Sequence, residues 1–114
     1  MRKFIFESRI IVRNGDKYID RISGSLTEIC TSINHRGTDL YLNFEVGIAL
    51  LRVARNAFLM RVEADDLVGC HSMKVVLEGT VVEIAGLKQS SVLWIAANSV
   101  PFAALADHPI VPRI

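Results

Sequence analysis

Apolar and polar residues alternate along Ala57–Ala64, and the apolar spacing then changes to one residue in every three or four as far as Ile84. Alternation places every second side chain on one face of a strand, whereas a period of about 3.6 residues forms one stripe of a helix. We therefore predict a strand that leads directly into a helix. Asp65 is the predicted N-cap, because its carboxylate can accept a hydrogen bond from a free amide of the first turn. Asp66 adds negative charge at the positive end of the helix dipole.

The first part of the chain predicts another strand and another helix. Residues 4–12 alternate in the same way and predict a strand. After a turn at residues 14–16, apolar residues recur at helical spacing. The stripe consists of Ile19, Ile22, Leu26, Ile29 and Ile33. We expect this helix to end at Asn34 or Gly37, since both residue types accept the left-handed conformation that closes a helix.

Two further strands are predicted between the helices. Residues 40–44 form a short alternating run, and residues 48–54 form a third strand that a two-residue loop, Arg55-Asn56, connects to Ala57. A two-residue loop fixes the register of a hairpin. The predicted cross-strand pairs are Val53 with Phe58, Leu51 with Met60, and Ala49 with Val62.

These elements predict an α+β fold. We expect a two-layer sandwich with a β-α-β-β-β-α core in residues 1–86, in which two helices cover one face of a small mixed sheet. Residues 87–114 form a C-terminal extension on the same domain. Within it, the apolar run 91–97 predicts a fifth strand or a packed segment, and Pro101 is suited to starting a short helical turn.

The second face of this sheet has no predicted helix to cover it. It carries aliphatic side chains among arginines, which is a composition typical of protein interfaces. We predict a homodimer or partner contact through this face. The alternative, which the sequence leaves equally open, is that residues 91–97 fold back and cover the face within the chain. The predicted interface residues are Tyr41, Ile48, Leu50, Arg52, Leu59 and Arg61.

Composition agrees with an interaction protein and disfavours two other classes. Hydrophobic residues make up 51% of the chain, which is more than an ordinary domain of this size needs for its core. The net charge of +1, with both signs intermixed, lacks the basic surface of a nucleic-acid-binding protein. No apolar run approaches the roughly 18 residues of a membrane span. We expect a cytoplasmic protein in which Cys30 and Cys70 are reduced thiols.

Few residues have types and spacings that suggest chemistry. His35, Cys70 and His71, together with Cys30, are metal-ligand types, but their spacing matches no closed zinc site. Cys70 also lies on the helical stripe, where it fits the core as a small apolar residue. No nucleophile has a recognisable base, so we predict no enzymatic activity and no cofactor.

The chain resembles an uncharacterised bacterial family, the domain of unknown function called DUF2218. The resemblance covers about residues 8–85. It rests on Lys17-Tyr18-Ile19, Phe44, Gly47, Leu51, the run Leu59-Met60-Arg61-Val62-Glu63-Ala64-Asp65, Met73, Val76, Val81 and Ala85.

The resemblance implies an accessory role. Members of the family carry histidines in both helices, at positions that correspond here to Ser25 and Thr80, so a histidine-based role does not transfer to this chain. Some members are joined to siderophore-interacting reductase domains, which implies a function near iron uptake. The apolar composition, the uncovered sheet face and this resemblance together give two hypotheses. The first is a non-enzymatic interaction or accessory module, and the second is a small-molecule binding domain linked to iron or siderophore metabolism.

Overall fold

The computed structural model describes residues 4–88 and 92–107. These residues form a single sheet with helices packed against it, as expected from the alternation and helical periodicity of the sequence. In chain order the elements are β1 (Phe4–Ile11), a 3₁₀ turn (Gly15–Tyr18), α1 (Ile19–Leu26), β2 (Ser32–Arg36), β3 (Asp39–Phe44), β4 (Gly47–Ala54), β5 (Ala57–Ala64), α2 (Leu67–Ile84), β6 (Ile95–Ala96) and α3 (Ala103–Asp107).

The sheet has the strand order β2-β3-β4-β5-β1-β6, and every pairing in it is antiparallel. The helices α1 and α2 lie together on one face, where α2 crosses β1, β4 and β5. The main core fills the space between these layers and is built around Phe58, Met60, Leu77 and Ile22, each fully buried. The α+β sandwich predicted from the sequence is confirmed.

The β4–β5 hairpin has the predicted loop and register. Arg55 and Asn56 connect the two strands, and Ala54 lies opposite Ala57. All three predicted pairs are present: Val53 with Phe58, Leu51 with Met60, and Ala49 with Val62. Because the loop has only two residues, the alternation on either side leaves one register that buries both apolar rows.

The prediction of one long first helix was wrong. The helix α1 ends at Leu26, after the weak helix formers Ser23-Gly24-Ser25. The carbonyl of Leu26 accepts hydrogen bonds from the amides of Ile29 and Cys30 as the chain turns away. Residues 32–36 then form β2 instead of a helix end. Ile33 still contacts the core, but it does so from a strand.

The additional strand reverses the direction of the strands that follow it. The sequence predicted a mixed sheet, in which the strand after the first helix runs parallel to β1. Because β2 forms a hairpin with β3, β3 runs opposite to the predicted direction and the sheet becomes fully antiparallel. The fold class is unchanged by this correction, but the path of the chain between β1 and the rest of the sheet is different.

The strand-to-helix junction lies one residue later than predicted. Asp66, not Asp65, is the N-cap of α2, and its Oδ1 accepts a 2.6 Å hydrogen bond from the amide of Gly69. The helix ends at Ile84, where the predicted apolar stripe ends, and Ala85 is its C-cap. Gly86 follows with a left-handed φ of 65° that suits a residue without a side chain. No helix in residues 4–88 or 92–107 combines the length and apolar character of a membrane span.

The C-terminal extension continues around the edge of the sheet. Residues 92–94 contact the helical side, and β6 then pairs with the edge of β1, with Ala96 opposite Phe6 and Ile95 opposite Glu7. Residues 97–107 continue onto the opposite face of the sheet, where α3 packs. We call residues 95–107 the C-terminal strap.

Candidate interaction surfaces

The six residues predicted to form an interface share the sheet face that points away from α1 and α2. They are Tyr41, Ile48, Leu50, Arg52, Leu59 and Arg61. The register places Leu50 between Tyr41 and Arg61, and it places Arg52 opposite Leu59. The alternation in the sequence was therefore sufficient to bring these side chains together.

The expectation that this face is bare is wrong at its centre. Leu50 is only 6% exposed and Arg61 only 3%. Leu50 forms a second apolar cluster with Ile95, Phe102 and Leu105 of the strap. Tyr41, Ile48, Leu59 and Arg52 are half-buried at its margins. The predicted interface is thus covered within the chain wherever the strap lies on it.

The alternative left open by the sequence is closer to the structure. In that alternative, residues 91–97 fold back and cover the sheet face. Residue 91 lies outside the described part of the chain. Within 92–97, β6 extends the sheet at its edge, and Ile95 is the residue that joins the second cluster. The centre of the face is covered mainly by later residues, since Phe102 and Leu105 provide the large buried side chains.

A buried ion pair fastens the strap to the sheet. The guanidinium of Arg61 donates a 2.5 Å hydrogen bond to Oε2 of Glu7, and a 2.7 Å bond to the carbonyl of Asn98 in the strap. The same Glu7 oxygen accepts a 2.6 Å bond from the amide of Phe102. One carboxylate and one guanidinium on the sheet therefore each hold a backbone group of the strap.

The hydrogen bonds of the Glu7–Arg61 pair do not fully compensate for the burial of its charges. Glu7 is fully buried, and its second oxygen, Oε1, accepts no hydrogen bond from any residue in the described ranges. Arg61 also donates a 3.1 Å bond to Glu63, which is more exposed. Removing two charges from water costs several kcal/mol per ion, and a pair recovers this only when its remaining hydrogen-bonding capacity is met. Phe102 adds a left-handed φ of 64°, which is unfavourable for an aromatic residue.

A second ion pair borders the covered face. Arg52 donates two hydrogen bonds to Asp39, of 2.7 and 2.9 Å, and Tyr41 donates a weak one of 3.4 Å to the same carboxylate. The hydrogen bonds from Arg52 hold the pKa of Asp39 below its usual value. The guanidinium carbon of Arg52 also lies 4.9 Å from the ring centroid of Phe102, so this pair contacts the strap as well.

A different apolar surface is exposed on α2. Val68 is 76% exposed and Val75 57%, and both point away from the core. Leu67 in the first turn and Val46 in the β3–β4 turn are about half exposed, at 56% and 48%, and Val46 lies close to Gly69 of the same first turn. A surface helix of a globular protein normally has a polar outer side. The helix α2 is apolar on both sides, although only one side is packed against the sheet.

The outer side of α2 also carries small residues between its valines. We call Val68, Ser72, Val75, Gly79 and Val82 the α2 outer face, in which Val82 is half-buried and also contacts the core. The hydroxyl of Ser72 donates to the carbonyl of Val68 at 2.9 Å, so the helix itself satisfies it. A Cβ placed on Gly79 would meet no atom within 4 Å. Glycine in a helix interior costs about 1 kcal/mol relative to alanine, and no contact among the described residues requires that cost here.

One flank of the α2 outer face is tied to the C-terminal extension. The indole N–H of Trp94 donates a 3.0 Å hydrogen bond to Glu78. The ammonium of Lys74 lies 3.5 Å from the ring centroid of Phe6, and burial lowers the pKa of this lysine. The hydrogen bond from Trp94 holds Glu78 beside the valines, with His71 exposed about two turns earlier on the same flank.

The residues considered as metal ligands lie in two elements, β2 and α2, and in the connection between α1 and β2, which contains Cys30. His35 is on the edge strand β2, and Cys70 and His71 are in the first turns of α2, with Cys70 buried and His71 exposed. Within 4–88 and 92–107, no three His, Cys, Asp or Glu side chains form a group that could hold a metal. Burial raises the pKa of Cys70 and of Cys30, which lowers the thiolate fraction needed for metal binding or nucleophilic attack.

An open groove of about 500 Å³ lies where the β4–β5 loop meets β1 and α3. Arg9, Arg55 and Asn56 provide its polar groups, and small apolar side chains form its floor. Pockets for drug-sized ligands are usually concave enough to bury most of the ligand, whereas this groove is wide open.

Sequence reasoning missed two residues that determine how the face is closed. Glu7 alternates with apolar residues in β1 and looked like a solvated strand position. Phe102 lies in a short segment without clear periodicity. A signal was present, because an acid on the same face as Arg61 is a natural partner for it, but the alignment of β1 against β5 was needed to place the two together.

Comparison with known proteins supports the fold. No family model matches this chain, and no curated protein matches it either. It is similar to the NMR structure of PA4090 from Pseudomonas aeruginosa, with a TM-score of 0.70 and 14% sequence identity. The match covers 82% of this chain and 96% of that chain. At such low identity the similarity shows a shared small α+β fold alone.

Proposed function

We propose that the protein is a non-enzymatic interaction module that binds a protein partner through the α2 outer face. The observation that carries this proposal is the exposure of Val68 and Val75 on a helix whose opposite side is already buried in the core. Exposed apolar patches on compact proteins mark interaction sites when their residues are contiguous. Leu67 and Val46 extend the patch at the start of the helix.

Val68 and Val75 are not needed for packing inside the domain. The core of the fold is complete without them, because Cys70, Met73, Leu77 and Val81 form the buried side of α2. Val75 lies on the opposite side of the helix from Leu77. Its exposed apolar side chain contributes little to packing within the chain, which supports contact with another molecule.

The proposal is tested by replacing both exposed valines with lysine, in V68K/V75K. Val100, which is exposed to a similar extent in the strap, provides the matched control V100K. In an extract of cells producing the full chain, we expect the wild-type protein and V100K to elute in a complex larger than the 12.7 kDa monomer. V68K/V75K is expected to elute as the monomer. Elution of all three at the same size would reject the α2 outer face as an interaction surface.

Contact through the sheet face remains a competing proposal, with Tyr41, Ile48 and Leu59 at the accessible margin. Burial of Leu50 and Arg61 means that a partner could reach the centre only after the strap leaves. A partner bound in that way would protect the face while the strap becomes accessible to solvent. Limited proteolysis of the strap in the complex distinguishes this mode from binding to α2.

The alternative function, a small-molecule binding domain, is supported by the groove with Arg9 and Arg55 at one side. A small carboxylate or phosphate is the ligand class that suits two guanidinium groups. The link to iron or siderophore metabolism rests on the resemblance to the DUF2218 family. A thermal-shift screen of organic anions, with R55A as the control, tests this function; equal responses of both proteins would remove the groove from consideration.

We place the protein in the bacterial cytoplasm as part of the same proposal. Cys30 and Cys70 are both free thiols, which suits a reducing compartment. Fractionation of cells producing the untagged chain tests the location, and recovery of the protein from an oxidising compartment would contradict it.

A further inference from the structure

We propose that the partner of the α2 outer face is a second copy of this chain, packed antiparallel about a two-fold axis at Val75. This inference rests on the proposed function and names its partner. It follows from the spacing of the exposed residues, from the open space above Gly79 and from the charges beside the valines.

The spacing is that of a coiled-coil seam. Successive residues of the α2 outer face are four, three, four and three positions apart, which keeps them on one line along the helix. The line alternates in size, with valines at 68, 75 and 82 and small residues at 72 and 79. In an antiparallel pair centred on Val75, Val68 lies opposite Val82 of the second copy, and Ser72 lies beside Gly79. The pattern is therefore complementary to itself.

The small residues allow the two helices to approach closely. Nothing lies within 4 Å of the position that a Cβ on Gly79 would occupy, so the second copy, with its Ser72, can approach closely there. The Ser72 hydroxyl is bonded to the carbonyl of Val68 and needs no water when the surface is covered. Helix pairs with small residues at the contact reach the short end of the usual 8–10 Å separation.

Charges beside the seam select the antiparallel arrangement. His71 and Glu78 occupy the same flanking position in successive heptads. In an antiparallel pair these positions meet, so His71 faces Glu78 of the second copy, twice by symmetry. In a parallel pair Glu78 would face Glu83 of the second copy, and the like charges would repel. The opposed helix dipoles also favour the antiparallel pair.

The contact area between the two helices is small, so we expect the dimer to be weak. The seam from Val68 to Val82 is about 21 Å long at 1.5 Å per residue. One helix from each copy buries an area at the low end of specific interfaces. We expect a dimer that dissociates in the micromolar range, on the order of 1–100 μM.

Cysteine crosslinking of the purified full chain tests the geometry. With a short thiol-to-thiol crosslinker, V75C is expected to form a covalent dimer by itself. V68C alone is expected to remain monomeric, whereas a mixture of V68C and V82C forms the dimer. V100C, at 58% exposure against 57% for Val75, measures collisional background together with the native cysteines. Efficient dimerisation of V68C alone would overturn the antiparallel arrangement.

A glycine substitution separates this contact from general stability. G79A adds a methyl group to the close approach, so we expect the dimer to weaken about tenfold or more, while the monomer melts at a higher temperature because alanine favours the helix. G24A in α1, where a Cβ also meets no atom within 4 Å, is the matched control and should leave dimerisation unchanged. Equal dimer affinity in G79A and the wild type would overturn the proposal.

Failure of this inference is distinguishable from failure of the proposed function. If a complex in cell extract depends on Val68 and Val75 but purified V75C crosslinks no better than V100C, the partner is another protein and the second copy is rejected. If no complex depends on these valines, both the inference and the proposed function are rejected.

Discussion

At the scale of single residues, the charged side chains of the sheet face act as structural fasteners. Arg52 and Arg61 were predicted as interface residues from the sequence, but each forms an ion pair within the chain, with Asp39 and Glu7 respectively. Arg61 is nearly inaccessible, so its role is to hold the strap. Arg52 remains at the margin, where it both binds Asp39 and stacks on Phe102.

The Arg61–Glu7 pair is expected to show strong coupling in a double-mutant cycle. R61M alone leaves the Glu7 carboxylate buried without its counter-charge, and such a change costs about 3–5 kcal/mol in the free energy of unfolding. The double variant E7L/R61M removes both charges and is expected to lose less than R61M alone. Urea unfolding of the four proteins measures this. Additive losses would mean that the two residues stabilise the strap independently.

The Asp39–Arg52 pair predicts a pH-dependent contribution to stability. Since the folded-state pKa of Asp39 is lowered, the pair stabilises the protein above the unfolded pKa of about 3.9, and this contribution is lost as the pH falls through the folded pKa. Arg52 is 35% exposed, so solvent screening limits the effect to about 1 kcal/mol or less. D39N should be less stable than wild type at pH 7 and equal to it near pH 2. A difference that persists unchanged at low pH would exclude the ion pair as its cause.

At the scale of the elements, the sequence predicts best where constraints are local. The β4–β5 hairpin could be predicted residue by residue because a two-residue loop and two alternating runs leave one register. The first helix could not, because Ile29 and Ile33 continue its stripe by coincidence. Ile29 is 51% exposed, and Ile33 belongs to a strand. Residues 32–36 form a hairpin with β3 instead of continuing the helix. Helical periodicity in the sequence gives no information about that pairing.

The strap was the least predictable element, because its position depends on distant residues. The amide of Phe102 bonds to Glu7, 95 positions earlier, and the large buried apolar anchors near it in sequence, Leu105 and Ile95, pack against Leu50 of the sheet. The candidate interface residues were therefore assigned to the correct face, but their accessibility was not. Whether a face is covered depends on such contacts across the sheet.

The strap is expected to detach as a unit when its main anchor is shortened. Leu105 is 1% exposed, and replacing a buried leucine by alanine costs about 2–5 kcal/mol. In L105A, hydrogen–deuterium exchange should increase in residues 95–107 and at the β1 edge that pairs with β6. The β4–β5 hairpin, which has its own core contacts, should keep its protection. Uniformly faster exchange across the sheet would indicate that the strap and the core unfold together.

At the scale of the whole molecule, the two outer surfaces of the sandwich differ in whether the chain covers their apolar side chains. The sheet's second face is closed by the chain itself, through an apolar cluster and a buried ion pair. Val68 and Val75 on the outer side of α2 have no such cover within the described residues and are among the most exposed apolar side chains there, whereas Val82 is half-buried. The apolar surplus of the composition is thus divided between an internal strap and one surface available to a second copy.

If that surface joins two copies, the thermal stability of the protein depends on its concentration. Association stabilises the folded state by mass action, so the Tm should rise as the concentration passes through the dissociation constant of the dimer. V75K introduces a charge at the proposed two-fold axis and should abolish this dependence. It should leave the Tm near that of the dilute wild-type protein, because Val75 is 57% exposed in the monomer and exposed substitutions usually change stability by less than about 0.5 kcal/mol. Calorimetry from about 5 to 500 μM spans the expected range. A wild-type Tm that is independent of concentration, or the same dependence in V75K, would exclude dimerisation through α2.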